Sequence, residues 1–226
     1  MSYECSYTEL PTPSTIRLIE LEENKVNETF ACVIYYVDCA QSEWTHLEYN
    51  ALSYVWGDSR PTRHIYLIGS TDEMYPVSVH ENLWRFLAWA WEKGLHKGSY
   101  IWTDRICLNQ HNDDEMAQRV PRMGEIFRNA TRVFAWLGMS EHQGQHLKPF
   151  LDLYRDGEDP REHPCAPETP LAVAAIANNE YWTRVWILQE FALAKQVVVV
   201  VGDVETTTEE LDVIEYCFRG LQLRWR

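Results

Sequence analysis

The feature that most constrains the fold of this chain is an alternation of strands and helices between residues 51 and 201. Four apolar, β-branched or aromatic runs predict strands at 51–56, 99–104, 132–137 and 196–201. Segments with helical periodicity separate these runs. Such alternation predicts a parallel sheet with helices on both faces, and ligands in such folds bind at the carboxyl ends of the strands.

Helix boundaries can be predicted at several positions between these strands. Ser78 and Glu81 have the spacing of a capping box, and Gly94 is suited to end the helix that follows. Asn112 is a good N-cap for a second helix. Pro121 lies well inside that second helix, so we expect a kink or a break there.

The N-terminal part of the chain predicts β structure outside the alternation. Strands are expected at 16–21 and 29–37, and a small hairpin is expected from 64–68 and 75–77. We interpret residues 1–48 as a β extension of the same single domain.

The part of the chain after residue 138 is harder to assign. Residues 140–170 are rich in Gly, His, Pro and acidic residues and predict an insert that holds at most a short helix at 147–154. Helices are expected at 171–178, 181–194 and 208–218. His142 and His146 fall in the insert, where we expect a solvated loop and no metal site, since metal ions need three or four converging ligands.

Composition excludes several classes of function. The net charge is −14 and Lys and Arg form no block, which argues against nucleic acid or an anionic membrane surface as the main ligand. Six cysteines include no CxxC pair, the N-terminus does not resemble a signal peptide, and the apolar runs are too short to span a membrane. We therefore expect a cytoplasmic protein with reduced thiols.

A single carboxylate, Glu190, stands out in the predicted helix 181–194. On a helix it would share a face with Trp186 and Ile187, and burial there would raise its pKa. A carboxylate held in this way is either paired or used in chemistry. Two interpretations stay open: a catalytic group, or a structural Glu that reaches solvent or pairs with Arg184.

Other polar residues follow the first two predicted strands of the alternation. Asp58 follows the strand at 51–56, and Asp104 ends the next strand. Asn109 and Gln110 lie in the loop after Asp104. Because the carboxyl ends of parallel strands meet at one edge of a sheet, these residues are candidates for a binding site.

Three sequence blocks resemble the fungal heterokaryon incompatibility (HET) domain. They are YNALSYVWGD at 49–58, IWTDRICLNQ at 101–110 and YWTRVWILQE at 181–190. The resemblance implies a core over 49–226 that acts in non-self recognition and programmed cell death. Members often carry further regions after this domain, so one interpretation of this chain is an excised domain or a product truncated at its C-terminus.

HET domains in turn resemble Toll/interleukin-receptor (TIR) domains. Ser53 and Tyr54 followed by Asp58 resemble the first TIR strand and its loop, and Trp186 and Glu190 have the spacing of a TIR Trp and catalytic Glu. This resemblance implies a flavodoxin-like three-layer α/β fold with a central, mainly parallel sheet. The sequence departs from the TIR pattern at Ile187, where many TIR domains have Cys, and in its long insert.

The TIR resemblance further implies cleavage of NAD⁺ as substrate, with no prosthetic group. Glu190 would be the catalytic carboxylate beside the ribose. Trp56, Tyr54 and Trp186 would stack the rings, and Arg105 would bind phosphate. Self-association is expected for activity.

Each of these residues also has a structural interpretation. Trp56 and Trp186 fit core positions better than stacking positions, since most Trp residues are largely buried. The remaining candidates are compatible with hydrogen bonds inside a strand or with local backbone capping: Ser53, Tyr54, Asp104, Asn109 and Gln110. Three functions therefore stay open, namely an NAD⁺ glycohydrolase, a non-catalytic self-assembly module and a nucleotide sensor. Walker A and GxSxG motifs are absent, which argues against a P-loop NTPase or an α/β-hydrolase.

Overall fold

The computed structural model describes residues 7–24, 29–40, 46–57, 60–69, 73–96, 98–163 and 166–218. The strands in these ranges are β1 (Thr15–Asn24), β2 (Thr29–Asp38), β3 (Tyr49–Tyr54), β4 (Arg63–Ile68), β5 (Met74–Val79), β6 (Tyr100–Trp102), β7 (Arg132–Trp136), β8 (Val197–Val201) and β9 (Val204–Thr207). The α-helices are α1 (Glu81–Glu92), α2 (Asp104–Cys107), α3 (Asp113–Arg119), α4 (Met123–Asn129), α5 (Glu141–Gln145), α6 (Lys148–Arg155), α7 (Thr169–Ala177), α8 (Ile187–Ala192) and α9 (Thr208–Phe218). Short 3₁₀ helices occupy Val120–Arg122, Pro160–Glu162 and Glu180–Thr183.

The described strands form one sheet in the order β5-β4-β2-β1-β6-β3-β7-β8-β9. Its centre, β6-β3-β7-β8, is parallel throughout, as the alternation predicts. All six residues of β3 are buried, which fits a central strand covered on both faces. The carboxyl ends of β3 and β6 therefore meet at one edge of the sheet.

Helices cover both faces of the parallel centre. Phe134 of β7, which pairs with Leu52 of β3, contacts Phe86 of α1 at a ring separation of 5.9 Å. Trp102 of β6 pairs with the preceding residue of β3 and contacts Phe127 of α4 at 5.4 Å. Because successive residues of a strand point to opposite faces, α1 and α4 lie on opposite sides of the sheet.

The sheet as a whole is mixed, so the expectation of a mainly parallel sheet holds only for its centre. Four of the eight pairings between described strands are antiparallel. The N-terminal strands enter the same sheet through the pairing of Ile19 in β1 with Ile101 in β6. At the opposite edge β9, which the sequence did not predict, folds back on β8. The hairpin of β4 and β5 is confirmed.

The helix boundaries confirm two of the local predictions and correct one. Asn112 caps α3 by accepting a hydrogen bond from the Glu115 amide at 3.0 Å, and the helix breaks at the 3₁₀ turn that contains Pro121. The capping box at Ser78 is wrong, because Ser78 belongs to β5 and α1 begins only after His80.

The insert at 140–170 is more helical than its composition suggested. It contains α5 and α6, and α6 buries Phe150 and Leu151 in a core that includes residues of α7, β8 and α9. His142 lies on α5 rather than in a loop, and His146 caps that helix. The short helix predicted at 147–154 is confirmed as α6, whose apolar positions pack on that core. The helix that the sequence did not predict is α5.

Candidate functional site

Three polar side chains, from Ser53, Tyr181 and Arg184, surround Glu190 near the carboxyl end of β3. Ser53, in β3, donates a hydrogen bond from its hydroxyl to Oε2 of Glu190. Arg184 donates from Nη1 to Oε2 and from Nη2 to Oε1, both at 2.9 Å. Arg184 Nη1 also lies 3.1 Å from Ser53 Oγ, and Tyr181 Oη lies 2.5 Å from the same atom. Both oxygens of the Glu190 carboxylate therefore have partners.

The carboxylate is shielded, whereas its guanidinium partner reaches the surface. Glu190 is only 2% exposed, but the Arg184 side chain is 20% exposed. Burial raises the pKa of Tyr181 well above its usual value, so that its hydroxyl stays protonated and able to donate to Ser53 Oγ. The Arg184 guanidinium also lies 5.5 Å from the centre of the Tyr181 ring.

Local structure explains why Arg184 and Glu190 face each other. Asn179 caps the 3₁₀ turn through a bond from the Tyr181 amide at 2.9 Å, and its side-chain amide donates to the Leu137 carbonyl at 3.0 Å. The chain is then extended at Arg184 before α8 begins at Ile187. The turn, the extended residue and the short helix together reverse the chain direction, so that the Arg184 side chain meets the carboxylate of Glu190 six residues later.

The predicted continuous helix at 181–194 is therefore wrong in its extent. The chain forms a 3₁₀ turn and the six-residue helix α8 instead. Val185, Trp186 and Leu188 are exposed, with Trp186 at 45%, so Trp186 is not a core residue and Glu190 is not buried by an apolar face at that position. Glu190 is instead buried by a paired arginine and a hydroxyl.

A second group of predicted residues meets around Asp104. The Trp56 indole nitrogen donates to Asp104 Oδ2 at 2.9 Å, and the Arg105 amide donates to Oδ1 at 2.7 Å. Burial raises the pKa of the Asp104 carboxyl, and these two hydrogen bonds oppose that shift. The charges of Arg184 and Glu190 also act on Asp104, which places the two groups in one electrostatic neighbourhood.

His80 belongs to this neighbourhood and was missed in the sequence. Its ring lies 5.5 Å from the Trp56 ring with an angle of 34° between the planes. Burial and, secondarily, the positive charge of Arg105 lower the pKa of His80, which favours a neutral imidazole at pH 7. Its position directly before α1, at the end of a strand, is the only sequence signal that could have pointed to it.

Open space adjoins this aromatic pair. A cleft of about 290 Å³ lies beside it. The residues that line it are Trp56, Gly57, Arg60, Thr62, His80, Glu81, Asn82 and Glu180. Its aromatic wall suits a flat ring.

The remaining candidates have structural roles in the described conformation. Asn109 accepts from the His111 amide at 3.1 Å, and Gln110 donates to the Asp104 carbonyl at 2.8 Å, so both organise the loop after β6. The Arg105 guanidinium donates to the Ser78 carbonyl at 3.0 Å. Tyr54 is buried in β3. Asp58 lies outside the described residues.

No group of three or more His, Cys, Asp or Glu side chains in the described ranges is arranged to hold a metal ion. None of the helices in those ranges is both long and apolar enough to cross a membrane.

Fold and site together define an α/β domain with a buried, arginine-paired carboxylate near the carboxyl edge of its parallel strands. The family described as heterokaryon incompatibility protein (HET) matches residues 49–190, and the chain belongs to that family. This membership supports a role in fungal non-self recognition.

A curated relative agrees with this assignment. The chain is 26% identical to heterokaryon incompatibility protein 6, OR allele, of Neurospora crassa, over 94% of this chain and 38% of that relative. The chain therefore spans less than half the length of the relative it matches. No solved structure gives a significant match.

Proposed function

We propose that this domain is an NAD⁺ glycohydrolase in which Glu190 is the catalytic carboxylate, and that its activity triggers cell death after non-self recognition. The observation that carries the proposal is the position of Glu190, a buried carboxylate held against Ser53 near the carboxyl edge of a parallel sheet. Open α/β sheets bind their ligands at that edge. The parallel centre also has the order second-first-third-fourth, which is that of flavodoxin-like folds.

Cleavage of the nicotinamide–ribose bond requires from the protein mainly one carboxylate close to ribose C1′. The bond between ribose C1′ and the nicotinamide nitrogen breaks, and its electron pair neutralises the cationic ring. No general acid is required for this leaving group. A carboxylate near C1′ would stabilise the oxocarbenium-like transition state. Water then attacks C1′ and gives its proton to solvent, which yields ADP-ribose.

Arg184 competes with any substrate for Glu190, because it occupies both carboxylate oxygens. The proposal therefore includes displacement of Arg184 when the substrate enters. Arg184 is partly exposed and is joined to Glu190 by only a short segment, which favours such a movement. Once released, its guanidinium would be able to bind the pyrophosphate in a bidentate manner.

The cleft beside Trp56 and His80 is the proposed binding site for one of the rings of the substrate. Asp104 links this cleft to Arg184 and Glu190 through the hydrogen bond from Trp56 and through the charges that act on it. We also propose that the domain acts in the cytoplasm, where the buried thiols of Cys32, Cys39 and Cys107 would stay reduced.

The test is nicotinamide release from NAD⁺, measured by chromatography at low protein concentration and at high protein concentration, where self-association is favoured. The wild type should release nicotinamide, and Glu190→Gln should lose that activity while its circular dichroism spectrum is unchanged. Glu210→Gln is a matched control, since Glu210 is another buried carboxylate paired with an arginine, Arg155. Absence of nicotinamide release by folded wild type at every concentration would reject the enzyme proposal.

A second candidate function is a non-catalytic self-assembly module. Exposure of Val185, Trp186 and Leu188 within four positions favours it, since exposed apolar groups often mark interaction surfaces. In that case signalling would survive Glu190→Gln and fail in Trp186→Ser. A cell-death assay with both variants separates the two candidates.

A further inference from the structure

A second cleft lies away from the Glu190 cluster, on the face of the sheet that α1 covers. Its volume is about 570 Å³, within the range typical of small-molecule sites. Trp136 ends β7, and Gly202 and Asp203 follow β8, so the cleft opens at the carboxyl ends of two parallel strands. The residues that line it are Trp84, Arg85, Ala88, Trp89, Glu92, Lys93, Trp136, Met139, Glu141, Gly202 and Asp203.

Three of the residues that line this cleft each carry a buried polar atom without a partner. Within the described part of the chain, no hydrogen bond is made by the indole nitrogens of Trp89 and Trp136 or by Oδ1 of Asp203. A buried donor or acceptor without a partner destabilises the folded protein, and such groups are rare in native structures. Two donors and one acceptor in the wall of one cleft therefore indicate a ligand that supplies the missing partners.

The charges around the cleft restrict the ligand further. Arg85 donates to the carbonyls of Gly138 and Met139, both at 2.9 Å, so its guanidinium is already engaged. The other lining charges are one cation, from Lys93, and three carboxylates. This balance disfavours an anionic ligand such as a nucleotide phosphate.

We propose that this cleft binds a neutral planar heteroaromatic ring that carries two hydrogen-bond acceptors and an amino or amide donor. The acceptors would pair with the indole N–H groups of Trp89 and Trp136, and the donor would pair with Asp203. Nucleobases and nicotinamide both have this chemistry. The three atoms are closed off from water, so binding requires the side chains to turn and should change tryptophan fluorescence.

The proposal is independent of the Glu190 chemistry, because none of the lining residues belongs to the Glu190 cluster. It is tested by calorimetric titration of the folded chain with adenine, adenosine, nicotinamide, AMP and ribose. At least one type of ring should bind: adenine together with adenosine, nicotinamide, or both types. AMP should bind more weakly than adenosine, and ribose should not bind. The pattern among the rings distinguishes a nucleobase site from a nicotinamide site.

Two indole substitutions test the assigned contacts. Trp89→Phe and Trp136→Phe keep an aromatic ring but remove the N–H, and each should weaken ring binding about fivefold to tenfold. Trp91→Phe is the matched control, because Trp91 lies on the same helix, stacks on His96 at 4.2 Å and does not line the cleft. Its affinity should equal that of the wild type.

Three results would overturn the proposal. The first is the absence of saturable binding by any of the rings at millimolar concentration. The second is unchanged affinity in both Trp89→Phe and Trp136→Phe, or an equal loss in the Trp91→Phe control. The third is tighter binding of AMP than of adenosine, which would contradict the requirement for a neutral ligand.

Discussion

Two buried arginine–carboxylate pairs in this molecule have the same chemistry but different surroundings. Arg17 and Glu115 are 98 residues apart and join β1 to α3 through contacts of 2.5 and 3.0 Å. The Arg17 guanidinium also donates to the carbonyls of Cys107 and Thr8. Arg17 is 1% exposed and Glu115 is 8% exposed, so both partners are sealed.

The pair of Arg184 and Glu190 is local instead. Its partners are six residues apart, its further contact is the hydroxyl of Ser53 rather than backbone carbonyls, and Arg184 reaches solvent. The neighbouring Trp186 is exposed. The comparison teaches that one type of ion pair joins distant elements in one region, whereas in the other it is local and partly exposed to solvent.

The largest expected effect comes from breaking the sealed pair. Arg17→Ala should lower the free energy of unfolding by about 3–5 kcal/mol, because Glu115 is left buried without its partner. Urea denaturation measures the change. Arg63→Ala is the control, since its pair with Glu81 is exposed to solvent and should contribute little to stability. A loss for Arg17→Ala no larger than the control would remove the distinction between sealed and exposed pairs.

Breaking the local pair should cost less. Arg184→Ala should lower the free energy of unfolding by about 1–2 kcal/mol, because water can enter the space left by a partly exposed side chain and solvate Glu190. The same urea denaturation measures it. A loss as large as that of Arg17→Ala would mean that Arg184 is a structural residue and does not release.

The stability of the wild type and that of Glu115→Gln should depend differently on pH in the acid range. Burial opposes ionisation of Glu115, but the hydrogen bonds from Arg17 hold its pKa below the usual value of 4.5. A carboxyl whose pKa is lowered by folding stabilises the protein above its unfolded pKa, and this contribution disappears as the pH falls through the folded pKa. Glu115→Gln should therefore flatten the loss of stability below about pH 4.5. An unchanged acid profile, measured by thermal unfolding from pH 7 to pH 3, would contradict the assignment.

The smallest effect on stability is expected at the surface beside the local pair. Trp186→Ser should change the free energy of unfolding by less than about 0.5 kcal/mol, since the side chain is half exposed. Thermal unfolding measures this change. A loss of several kcal/mol would show that the segment before α8 is part of the core.

The parallel centre could be predicted from the sequence because it depends on local pattern. Apolar runs separated by helical periodicity are sufficient to predict β3, β6, β7 and β8, and Pro121 predicts the break between α3 and α4. The entry of β1 into the same sheet could not be predicted, since it depends on a long-range antiparallel pairing of Ile19 with Ile101. Antiparallel edge strands leave no signature in the alternation.

The candidate site could be predicted only in part, because sequence pattern identifies residue types but not long-range contacts. Glu190 and Ser53 were both identified, but only the fold brings residues 137 positions apart into a hydrogen bond. Tyr181 and His80 were missed as site residues because their roles depend on what packs against them. The predicted helix at 181–194 failed because helical spacing does not reveal whether a face has a partner, and Leu188 has none that buries it.

Chemical labelling of carboxylates in the folded protein tests the contrast between the two pairs most directly. Mass spectrometry would compare the labelling rates of Glu190 and Glu115, each normalised to the rate in the denatured chain. If exposure in the described conformation decided the rate, Glu115 would be labelled faster, because its side chain is 8% exposed and that of Glu190 is 2% exposed. If Arg184 releases as proposed, Glu190 should nevertheless be labelled faster, and NAD⁺ should protect it. Slower labelling of Glu190 than of Glu115 would contradict a releasable site.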